Sequence, residues 1–127
     1  MSATASRVIA WFEIPSTNFD RAVRFYETIL GTTLRREDFG QPMAVFNYGE
    51  QATGGCIVGG DALKPAALGT LVYLNAEPTV DAVLARVEKA GGKVEGPAIQ
   101  LPQDIGFIGF FTDTEGNRVG LHSPHNG

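Results

Sequence analysis

The chain has 127 residues, which suits one compact domain, and no apolar run is long enough to cross a bilayer. Its net charge is −4 and its ten Lys and Arg residues are scattered. The nearest thing to a basic patch, Arg35-Arg36, is followed at once by Glu37 and Asp38, so the basic stripe that nucleic acid needs is missing. A single Cys, Cys56, rules out an internal disulfide and makes a reducing cytoplasm the expected compartment. The opening MSATASRVIAWFEI has no basic segment followed by an apolar core and cleavage site, and no secretory leader is expected there. An acidic domain of this kind is suited to small molecules or to a second copy of itself, with no nucleic acid and no membrane as partner.

Val8 to Ile14 reads as the first strand, with Trp11, Glu13 and Pro15 on one face and Ala10, Phe12 and Ile14 on the other. Thr17 with Asp20 fits a capping box, with Asn18 as the other candidate cap, for a helix running to Leu30. Its stripe is Phe19, Ala22, Val23, Tyr26, Ile29 and Leu30, and Gly31 is a good C-cap. Short strands follow at about Thr33 to Phe39, Met43 to Tyr48 and Thr53 to Val58, separated by Gly40-Gln41-Pro42 and Gly49-Glu50. Cys56 lies in GGCIVGG between apolar neighbours and reads as a buried structural thiol. Asp61 to Gly69 is a linking loop.

The second half restarts the same order. Thr70 to Leu74 is a strand, and Pro78 is placed for the first turn of a helix. Its stripe is Val80, Val83, Leu84 and Val87, stopped by Gly91-Gly92. Lys93 to Gly96 begins a strand that Pro97 cuts short, Gln103 to Thr112 carries the next, and Arg118 to His122 is the last. Between these two final strands, DTEGN at 113–117 reads as a polar hairpin turn, and Pro124 and Gly127 point to a fraying end. A shift of sixty residues places Ala22 on Ala82, Val23 on Val83 and Gly31 on Gly91. The expected architecture is α+β: two βαβββ modules, about 7–60 and 69–123, forming a curved, half-closed mixed sheet with the helices outside and a cleft within.

NFDRAVRFYETILG at 18–31, GTLVYL at 69–74 and FFTDTEGNRVGLH at 110–122 resemble the helix, second-module strand and closing hairpin of the glyoxalase/bleomycin resistance/extradiol dioxygenase superfamily. Within it the chain is similar to small bacterial glyoxalase-like proteins. The resemblance covers nearly the whole chain and speaks for fold more than for activity. It implies a divalent metal held by His or Glu on the first and last strands of each module, acting as a Lewis acid. Carried over, those positions fall on Trp11, on Thr70 and on Gly120, while strand four offers only Cys56; Glu50 and Asp61 lie outside that strand. The expected ligand set is therefore largely lost, and no cofactor is expected, although a relocated metal stays open.

Glu13 and His122 remain as candidate catalytic residues. By strand parity Glu13 shares a face with Trp11, and His122 shares one with Gly120. They fit a general-base pair or part of a shifted metal site, or else a structural hydrogen bond or ion pair. Trp11, Tyr48, Thr70, Val72 and Leu74 are the candidate contacts for a substrate or ligand. The expected function is binding of a small organic molecule in the cleft without metal. The alternative is a lyase, isomerase or dioxygenase with a relocated site that includes Glu13 and His122. The resemblance also implies a homodimer.

Overall fold

A computed structural model describes residues 9–50, 52–61 and 63–126; Val8 and Gly127, named above at the two ends of the fold, lie outside these. The doubled element order is present. The first module holds β1 (Trp11–Pro15), α1 (Phe19–Leu30), β2 (Arg35–Asp38), β3 (Pro42–Val45) and β4 (Gly54–Val58). The second holds β5 (Tyr73–Asn75), α2 (Val80–Val87), β6 (Lys93–Val94), β7 (Ile99–Leu101), β8 (Gly106–Thr112) and β9 (Arg118–Ser123). One sheet runs β1-β4-β3-β2 and the other β5-β9-β8-β6, with β7 also paired to β8. β1 joins β4 in parallel and β5 joins β9 in parallel, while the other pairings are antiparallel, so both sheets are mixed.

Register divides each sheet into two faces. Ile14, Ile57 and Ala44 form a row on the helix-facing side of the first sheet, and all three are buried. Leu74, Leu121 and Gly109 form the matching row of the second, where a Cβ on Gly109 would stand 2.7 Å from Val80 of α2. On the opposite faces lie Trp11 and Glu13 in the first sheet, and Tyr73, Gly120, Phe110 and His122 in the second. The helices share one apolar core: Phe25 and Tyr26 of α1 lie 5.7 and 6.2 Å from the Phe111 ring of β8. Burying a ring of this size contributes roughly 2–3 kcal/mol, so the two halves are held by a common interior.

Several boundaries differ from the sequence reading. Asn18, not Thr17, caps α1, its side chain accepting from Arg21 N at 3.1 Å, while Glu115 accepts the amides of both Thr17 and Asn18. Thr79 caps α2, so Pro78 precedes the cap instead of entering the first turn. The strand expected from Gln103 begins only at Gly106. Gln103 and Asp104 take φ of 58° and 59°, a tight left-handed turn that folds β7 back on β8. β7 itself was not expected, being only Ile99–Leu101 between Pro97 and Pro102. The strand at Thr70 to Leu74 becomes Tyr73–Asn75. The terminal segment does not fray as far as Asn126: Ser123 and Asn126 accept the α2 amides of Val80 and Asp81 at 3.1 and 2.8 Å.

The turn between β8 and β9 ties the second module to the first. Glu115 Oε1 accepts the amides of Thr17 and Asn18 at 2.9 and 2.7 Å, and its Oε2 accepts Arg21 Nε at 2.8 Å. Burial alone would push this carboxyl up, but the hydrogen bonds from Arg21, Asn18, Thr114 and Thr17 outweigh it and hold it at about 2. Asp113, buried, accepts Tyr26 Oη at 2.7 Å and the Asn117 side chain at 3.0 Å, and Asn117 donates to the Pro15 carbonyl at 2.8 Å. Burial, then the Asp113 charge, push the Tyr26 phenol well above its ordinary value, so it stays a donor. The DTEGN turn is thus a cap for α1 and a clasp on the end of β1.

Candidate functional site

β1 and β5 are the outer strands of their sheets and do not pair with one another. Between them opens a cavity of about 890 Å³, within the range of ordinary small-molecule sites. Trp11 and Phe12 of β1 form one wall, Phe46 and Tyr48 beyond β3 another, and Val72, Tyr73 and Leu74 a third. Polar side chains other than those of the rings are few: Thr32, Asn47, Thr53, Thr70, Asn75 and Glu77. Trp11, Tyr48, Thr70, Val72 and Leu74, the contact residues expected from the sequence, are all in this lining.

Two neighbouring glycines explain how the rings close on the cavity. Gly54 pairs with Trp11, and a Cβ there would meet the Tyr48 ring at 2.5 Å. Gly55 pairs with Phe12, and a Cβ there would meet the Phe12 ring at 2.3 Å. Tyr48 therefore lies edge-on to Trp11 at 6.2 Å, and Phe12 stacks on Phe46 at 5.7 Å. Side chains at either glycine would displace these rings. Phe12, Phe46, Tyr73 and Glu77 were not singled out in the sequence; a Gly-Gly pair amid aromatic strands was the available signal for the first two.

Glu13 and His122 do not meet. They sit on different sheets, neither lines the cavity, and among the described residues no hydrogen bond or ion pair joins them. His122 Nε2 instead lies 2.6 Å from the carbonyl oxygen of Ile105, which anchors the turn between β7 and β8. Glu13 pairs in register with Cys56. Burial, and then the Glu13 charge, push the Cys56 thiol up to about 11, with a smaller opposing contribution from Trp11. That thiol is neutral at physiological pH and a poor nucleophile.

The metal implied by the resemblance does not fit the residues present. Trp11 and Thr70 are not suited to hold it, and β4 offers only the single buried thiol of Cys56. At Gly120 the space is also taken: a Cβ there would stand 2.5 Å from the Tyr73 ring, so a ligating side chain would collide with it. Among the described residues no group of three or more His, Cys, Asp or Glu side chains converges.

Comparison with known proteins agrees with the architecture. The family model for the Glyoxalase/Bleomycin resistance protein/Dioxygenase superfamily matches residues 8–121. A glyoxalase/bleomycin resistance protein from Albidiferax ferrireducens T118 superposes with a TM-score of 0.71 at 16% identity, over 95% of this chain and 100% of that one. One from Streptomyces sp. CB03234 gives 0.64 at 24% identity, over 91% and 99%. The E144Q mutant of glyoxalase I from Zea mays gives 0.68 at 21% identity, over 91% of this chain and 46% of that one. At such identities the structural likeness speaks for the fold alone. No curated protein is significantly similar to the chain. Among the described residues no helix is long and apolar enough to cross a membrane.

Proposed function

Since the chain belongs to the Glyoxalase/Bleomycin resistance protein/Dioxygenase superfamily, we propose that it binds a small organic molecule in the cavity between β1 and β5, without the divalent metal of the family's enzymes. The observation that carries this is the cavity itself: about 890 Å³, with Trp11, Phe12, Phe46 and Tyr48 as ring walls and few polar groups. Apolar walls of this kind provide affinity through area removed from water, and the few lining amides and hydroxyls orient the guest. The crowded Gly120 position and the side chains of Trp11 and Thr70 argue against a metal at the inherited place.

N-phenyl-1-naphthylamine, a neutral probe that brightens in apolar surroundings, tests the reading. Saturable binding that weakens in Tyr48→Ala supports it, and an absence of saturable binding rejects it. Mass spectrometric metal analysis of untagged protein tests the second clause: a near-stoichiometric divalent metal would overturn it. The protein is further proposed to act as a cytoplasmic homodimer, in keeping with its lone buried thiol and with the exposure of Tyr73, Ile99 and Ile105 on the second sheet and its turn. Sedimentation at micromolar concentration then gives twice the chain mass, and a concentration-independent monomer would refute the dimer.

A further inference from the structure

The charge of the cavity is one-sided. Its aromatic lining comprises Trp11, Phe12, Phe46, Tyr48 and Tyr73, and among the described residues the one Asp, Glu, Lys, Arg or His that lines it is Glu77. Glu77 lies just after β5, is exposed, and makes no side-chain hydrogen bond or ion pair among the described residues. Arg86 reaches it only through the backbone, Nη2 standing 3.3 Å from the Glu77 carbonyl oxygen, and is not part of the lining. A guest in this space meets five aromatic rings, whose faces carry negative potential, and the Glu77 carboxylate, with no Lys, Arg or His among the described lining residues. An anionic guest would lose hydration and meet neutral donors and the Glu77 carboxylate, with no cation among the described lining residues; a cationic one gains from both the rings and Glu77.

We infer that the cavity selects an organic cation: an aromatic or otherwise apolar body carrying an amine or onium centre, seated among the rings with its charge towards Glu77. This rests on the cavity being a binding site, as proposed above, and adds the charge class of what enters. Neutral guests of similar shape bind through the walls alone. The preference comes from the rings and from Glu77 together, and only the second part is removed by neutralising the acid.

Trp11 is the chain's one tryptophan and lines the cavity, so its emission reports occupancy directly. The probes are tetraphenylphosphonium, tetraphenylborate and triphenylphosphine oxide, which offer similar phenyl surfaces with positive, negative and no charge. Tetraphenylphosphonium is expected to bind about tenfold tighter than the neutral oxide, with tetraphenylborate weakest. Glu77→Gln should cut the cation-to-neutral ratio about threefold, as for a partly screened ion pair. Glu77→Asp, which keeps the charge, should largely retain the ratio, and Glu88→Gln, an exposed acid outside the lining, should not change it. Borate binding as tightly as phosphonium, or a ratio insensitive to Glu77→Gln, overturns the charge inference while the cavity reading stands. Failure of all three probes to perturb Trp11 overturns both.

Discussion

Replacing Glu115 by Gln tests the clasp between the modules. In the parent, Oε1 serves the Thr17 and Asn18 amides and Arg21 Nη2, while Oε2 serves Arg21 Nε and Thr114 Oγ1 at 2.8 Å each. A Gln oxygen can still accept the two amides, but its NH2 group then faces the Arg21 guanidinium, donor against donor. The carboxyl is held at about 2 against an ordinary 4.5. That difference corresponds to ~3 kcal/mol, reduced to ~2 kcal/mol because Arg21 is half exposed and solvent screens it. The folded pKa lies below the unfolded one, so this stability is present above pH 4.5 and is lost as pH falls towards 2. Urea unfolding of parent and Glu115→Gln should differ by about 2 kcal/mol at pH 7 and by about 1 kcal/mol or less at pH 3. A gap below about 0.5 kcal/mol at pH 7, or one that does not narrow on acidification, would refute the assignment of the clasp to a charged Glu115.

Tyr26→Phe should cost about 1–2 kcal/mol in urea unfolding, because it removes one buried hydrogen bond to Asp113 and leaves that oxygen with Asn117 alone. Gly55→Ala should cost more than Gly54→Ala, since Phe12 is held by its stack on Phe46 whereas Tyr48 is half exposed and can swing away; equal thermal shifts would count against this packing. Cys56 should resist a disulfide reagent at pH 8 in the folded protein and react fully in urea, because burial keeps it protonated. Its raised pKa also implies stability that is present below pH 9 and lost as pH climbs towards 11, which Cys56→Ala should abolish.

The parts of the fold legible in the sequence are those where one local rule decides the outcome. α1 shows its stripe and its stop because Gly31 can take φ of 66° and the apolar positions recur at helical spacing. α2 is visible for the same reason. The caps are less legible, since Thr17 and Asn18 are both good capping types and the α1 N-terminus is completed by Glu115, 98 residues from Thr17 in the chain. β7 escaped notice because three residues between prolines carry no measurable period. At the site, strand parity placed Trp11 and Glu13 on one face, yet it could not tell that Glu13 would stand beside Cys56 while Trp11 turned to Tyr48. Parity assigns a side; distance between His122 and Glu13 depends on how two sheets are set relative to one another. The ring cluster around the cavity depends likewise on the space left above Gly54 and Gly55, which only three-dimensional packing reveals.

The clasp has a bearing on how the protein is made. A ribosome delivers α1 before the 113–117 turn, so until that turn emerges the α1 N-terminus has the Asn18 side chain but not the Glu115 carboxylate to satisfy its first amides. The Phe111 ring that completes the packing around Phe25 and Tyr26 arrives equally late. An N-terminal fragment ending near residue 60 would expose that aromatic face and lack the carboxylates that tie down Thr17, Asn18 and Tyr26. The repeat is built of two units, but the first gains its finished form from the β8–β9 hairpin of the second. Released chains truncated before the hairpin are therefore more exposed to proteases and to sticking to one another than chains that include it.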